Sequence, residues 1–116
     1  MISNGGIRVG GAGIGTSTPV FIHQVVTGGG GNNICATRSF ATVIDNPVIN
    51  GNPDAILIVT PNYGLISGGV SVLGPYAVFY DDANVCGFGN DKWVIYLIST
   101  AALNNGALIN VMAVNP

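Results

Sequence analysis

The stretch "ALINVMAV", residues 107–114, decides the fold. In an extended chain Leu108, Asn110, Met112 and Val114 fall on one side, and Ala107, Ile109, Val111 and Ala113 on the other. The turn signal "NNG" (104–106) stands immediately before it. The same period of two recurs upstream. In "SFATVID" (39–45), Phe40, Thr42 and Ile44 oppose Ala41 and Val43; in "YAVFYD" (76–81), Ala77 and Phe79 oppose Tyr76, Val78 and Tyr80.

Further runs rich in β-branched and aromatic residues read as strands: "PVFIHQVV" (19–26), "ICATRSFATVI" (34–44), "AILIVT" (55–60), "LISGGVSVL" (65–73) and "KWVIYLIST" (92–100). Between them lie turn clusters of Gly, Pro, Asn and Asp, including "TGGGGNN" (27–33), "NGNPD" (50–54), "TPNYG" (60–64) and "DDANVCGFGND" (81–91). No stretch carries a capped 3.6-residue apolar stripe, so no substantial helix is expected. Seven short strands predict an all-β, single-domain β-sandwich of jelly-roll type over residues 19–116. "AILIVT" and "WVIYLI" are apolar on both faces. Such strands need cover on both sides, from the core and from a second layer or a neighbouring molecule.

Residues 1–18 read differently. "MISNGGIRVGGAGIG" mixes glycine with the isolated apolar residues Ile2, Ile7, Val9 and Ile14. It predicts an extended N-terminal arm that adds to the sheet edge or groove of a neighbouring subunit. Backbone pairing would supply affinity there, and alternate side chains would fill pockets.

Composition narrows the function. Charged residues make up 7% of the 116-residue chain, against about 25% in a typical soluble domain, and the net charge is −2. A surface covered by neighbouring subunits needs few charges. Three cations, Arg8, Arg38 and Lys92, cannot form a phosphate-binding patch, so nucleic acid is not an expected partner. No apolar run approaches the 18 or so residues of a membrane span. The chain does not open on a basic segment followed by a continuous apolar stretch; the sequence then represents a mature form, or export uses another route.

Motifs that carry chemistry are few. "GGAGIG" fails the dinucleotide fingerprint, because the third glycine would fall at Thr16, and it lacks the Lys-Ser/Thr ending of a phosphate loop. One histidine, His23, sits inside an apolar run without a Ser–His–Asp or Cys–His spacing, and reads as structural. Asp81, Asp82 and Asp91 crowd one loop rather than flanking an apolar cleft. A calcium site at Asp81, Asp82, Asn84 and Asp91 is the lesser reading of that loop, since Cys86 and Trp93 stand where EF-hand ligands belong. Trp93, Tyr63, Tyr76, Tyr80 and Tyr96 read as cross-strand packing rather than a sugar platform. No catalytic residue, metal or cofactor is expected, and the chain is not expected to be an enzyme. Cys35 and Cys86 are either two buried thiols or a disulfide, which would contribute roughly 4 kcal/mol in the chain-entropy model.

The segments "FIHQ" (21–24), "TVIDNPVINGNPDAILIVTPNYG" (42–64), "YAVFYD" (76–81), "KWVIYL" (92–97) and "NNGALINVMAV" (104–114) resemble a family of small bacterial β-rich domains of unknown function, often found in secreted proteins. "NGNPDAILIVT" is the most specific piece. The resemblance covers about residues 20–114 and implies the fold and an extracellular setting, without an enzyme or ligand. "TGGGGNNICATRSF", the two cysteines and the leader depart from it.

The resulting expectation is a structural subunit, extracellular or at the cell surface, that assembles with copies of itself into a filament, tube or sheath. The alternative is a secreted β-sandwich binding module that holds carbohydrate or a surface in a lectin-like way.

Overall fold

The computed structural model describes residues 19–70 and 74–114, and the backbone of Ile2–Ser3 and Gly6–Ile7. Eight strands run in chain order: β1 (Ile2–Ser3), β2 (Gly6–Ile7), β3 (Val20–Gln24), β4 (Ala41–Val43), β5 (Ile56–Asn62), β6 (Tyr76–Asp81), β7 (Lys92–Leu97) and β8 (Leu108–Val114). No helix occurs among the described residues. Two three-stranded antiparallel sheets, β3-β8-β5 and β4-β7-β6, form a β-sandwich.

The alternation read from the sequence sets the layers. Ile109, Val111 and Ala113 of β8 point inward and meet Trp93, Ile95 and Leu97 of β7 in the main core. Ile44, Ile49 and Val25, from the segments beside the strands, complete it at 0–2% exposure. The loop before β5 supports this core: the Trp93 indole N–H donates to the Asn52 carbonyl at 3.0 Å. The Tyr80 and Trp93 rings meet edge to face at 5.3 Å. Among the described residues the Tyr76 hydroxyl is the buried side-chain polar atom without a partner, and burial raises its pKa.

Three strand expectations change. Residues 65–70 form a turn rather than the start of a strand. β5 instead continues through Thr60, Pro61 and Asn62, with Pro61 opposite Ile109. A proline is tolerated there because β5 is an edge strand and its outer side needs no N–H. The long run 34–44 contributes only Ala41–Val43 and an isolated bridge, Ile34 to Thr42. The rest of that run crosses the outside of its sheet, for a reason given below. At the N-terminus, β1 and β2 pair antiparallel with each other, Ile2 with Ile7 and Ser3 with Gly6. Val9 and Ile14 lie outside the described residues.

Candidate functional site

The two sheets differ on their outer faces. Over β4-β7-β6 the second face of β7 carries Val94 and Tyr96. The chain covers it: Cys35 and Cys86 are joined in a disulfide and pack with Ala41, Val43 and Val94, all at 4% exposure or less. Phe40, Phe79 and Tyr96 extend this second core, with Tyr96 5.9 Å from Phe79 and 6.4 Å from Phe40. Arg38 lies 6.0 Å above the Phe79 ring. The run 34–40 is therefore a lid, pinned to the 82–91 loop by the disulfide and by the Ala36 N–H on the Cys86 carbonyl.

Over β3-β8-β5 nothing among the described residues plays that part. Cross-strand register places Val20, Met112 and Ile58 in one row and Val114 beside Ile56, with Ile22 adjoining. Val20, Ile22, Ile56 and Ile58 are 49–58% exposed. The other half of the face is amide-rich: Asn62 Nδ2 donates to Asn110 Oδ1 at 2.9 Å, and Asn110 Nδ2 to Thr60 Oγ1 at 3.1 Å. Beyond it the 63–70 loop presents Leu65 and Ile66, at 76% and 94% exposure. No charged side chain interrupts these strands on that face. At the start of the described sheet, the Pro19 carbonyl accepts from the Ala113 N–H, beside the apolar half.

His23 is structural in its immediate contacts. It lies on the inner side of β3, and its Nε2 is 2.8 Å from the fully buried Thr42 Oγ1 on β4. Thr42 has one hydroxyl proton and gives it to Asn33 Oδ1 at 2.9 Å. That assignment makes Nε2–H of His23 the donor to Thr42, with Asn33 Nδ2 a longer 3.5 Å from the same nitrogen. Burial lowers its pKa to about 4, which keeps it neutral. Asn33 in turn takes the Val26 N–H on Oδ1 and donates to the Gln24 carbonyl. Neither cysteine sulfur is a nucleophile for His23, since each is bonded to the other.

The acidic loop spends its oxygens on itself. Asp81 is 3% exposed and accepts the N–H groups of Ala83, Val85 and Cys86 at 3.0–3.3 Å. Burial alone would raise its pKa; the backbone donors outweigh that and hold the carboxyl below the usual range. Asn84 Oδ1 accepts the Gly89 N–H at 2.8 Å. Asp82 and Asp91 remain near the surface, and no cluster of three or more His, Cys, Asp or Glu side chains converges among the described residues. The aromatic residues divide between the two cores, except Tyr63 and Phe88, which are 47% and 38% exposed.

Fold and surface together define a disulfide-pinned β-sandwich with one sheet covered by its own chain and one left open by the described residues. The family match fits this class: the model described as "Domain of unknown function (DUF7452)" covers residues 16–113, and the chain belongs to that family. No curated protein and no solved structure matches the chain.

Proposed function

We propose that this chain is a structural subunit that assembles with copies of itself outside the cell into a filament, tube or sheath. The observation that carries this reading is the bare, uncharged outer face of β3-β8-β5. Burying its half-exposed aliphatic side chains would contribute about 1 kcal/mol each. That is marginal against the several kcal/mol that association costs. A second contact is needed, and the N-terminal arm is suited to it: β3 is an edge strand with neither charge nor proline between Val20 and Gln24, so it offers an open ladder for strand addition. The buried disulfide fits an oxidising compartment.

Negative-stain microscopy and sedimentation velocity test the reading. The intact chain should form ordered polymers. Ile22→Asp with Ile58→Asp should keep the β circular dichroism and lose them, because it places unpaired charges in the contact. A wild-type chain that stays monomeric at high concentration overturns the proposal.

A further inference from the structure

On the opposite side of β3 from the bare face, a cavity of about 340 Å³ opens between the 27–33 loop and the 82–92 segment. Its size is within the range of small-molecule sites. His23, Asn32, Asp45, Phe88 and Lys92 line it. Two of the chain's few charges, Asp45 and Lys92, are here, and neither forms an ion pair among the described residues. Asp45 uses Oδ1 to accept from Asn50 Nδ2 at 2.7 Å, leaving its other oxygen free of described partners. Asn32 accepts the Ile34 N–H through Oδ1, and its amide N–H₂ makes no bond within the described residues. Phe88, 38% exposed, offers an apolar surface among these polar groups. The base of the cavity is rigid, because the His23–Thr42–Asn33 chain of hydrogen bonds ties the two sheets together beneath it.

We infer that this cavity binds a sugar ring through a vicinal diol. A diol hydroxyl both donates and accepts. One pair can therefore donate a hydrogen bond to the Asp45 carboxylate and accept one from the Lys92 ammonium without adding net charge to the site. The apolar C–H face of the ring rests on Phe88, and the Asn32 amide donates to a further hydroxyl. For a singly charged ligand the attraction of one of these side chains is offset by the repulsion of the other. A neutral polyhydroxylated ring meets both.

Saturation-transfer NMR tests this, and it reads the ligand whether the protein is monomeric or polymeric. The probes are the methyl glycosides of glucose, galactose, mannose and N-acetylglucosamine, each at about 10 mM, with tetrahydropyran-2-methanol as a ring lacking the diol. At least one glycoside should receive saturation, strongest on its ring C–H protons, and the diol-free ring should not. Phe88→Ala and Asp45→Asn should each weaken that binding about tenfold without altering the circular dichroism. Absence of saturation on all four glycosides overturns the inference. So do equal binding of the diol-free ring and unchanged binding in both variants.

Discussion

His23, on the edge strand of one sheet, donates to Thr42, on the edge strand of the other, across 2.8 Å. The bond closes one side of the sandwich, and Thr42 passes it on to Asn33 at the end of the 27–33 loop.

Acid should open this side. The folded-state pKa of His23, about 4, lies below its ordinary 6.5 because burial disfavours the imidazolium. Between those values the unfolded chain binds a proton that the native state does not, so stability falls as pH drops through that window. The loss approaches about 3 kcal/mol at pH 4. The Asp81 carboxyl has a lowered pKa, so its contribution is present above the usual carboxylate range and is lost only at still lower pH. Urea midpoints measured from pH 7 to 4 should fall for the wild type; a flat profile would contradict the burial of His23.

Thr42→Val keeps the volume and removes the hydroxyl. The His23 N–H then loses its acceptor and Asn33 one of its donors, both inside the sandwich. The expected cost is about 2–3 kcal/mol in chemical denaturation, with the bare outer face unaffected and assembly intact at temperatures where the variant is folded.

Reducing the disulfide, or replacing both cysteines with alanine, should cost about 4 kcal/mol, since the bridge spans 51 residues of sequence. Non-reducing gels of the unfolded protein should show a single, faster-migrating monomer. A ladder of larger species would mean that the cysteines pair between chains.

Thr100 has φ 63°, a left-handed conformation that a β-branched residue resists. Among the described residues its hydroxyl bonds only the neighbouring Ser99 carbonyl, at 2.6 Å. Thr100→Asn should therefore stabilise the fold by about 1 kcal/mol, raising the melting temperature by a few degrees. Gly69→Ala should act the other way: an added Cβ would meet the Tyr63 carbonyl and lie 2.6 Å from its ring, so the 63–70 loop must shift. A thermal melt of each variant, compared with wild type, checks the opposite signs.

The strands were legible wherever alternation was clean. Ile109, Val111 and Ala113 reach the main core, and Ala41 and Val43 the second one, as their spacing in sequence predicts. Legibility failed where cover comes from chain that is not a strand. Residues 34–40 carry the apolar character of a strand because they pack on one, and only the pairing of Cys35 with Cys86 reveals this. The pairing of β1 with β2 did have a local sequence signal, since Asn-Gly stands between them in the chain. The cavity beside His23 had none, because Asn32, Asp45, Phe88 and Lys92 converge only through tertiary folding.

The contrast between the two sheet faces fixes a valence. A face that meets the same face on another copy is consumed in the encounter, and a two-fold pair offers nothing more of that kind. With one sheet capped by its own lid, this contact alone stops at two molecules. Unlimited growth requires a second, directional link, which is the part proposed above for residues 1–18. Removing residues 2–15 should then abolish polymers and leave monomers with no more than a weak two-fold pair, because the face alone is marginal against the cost of association, whereas blocking the face should leave whatever the arm can join by itself.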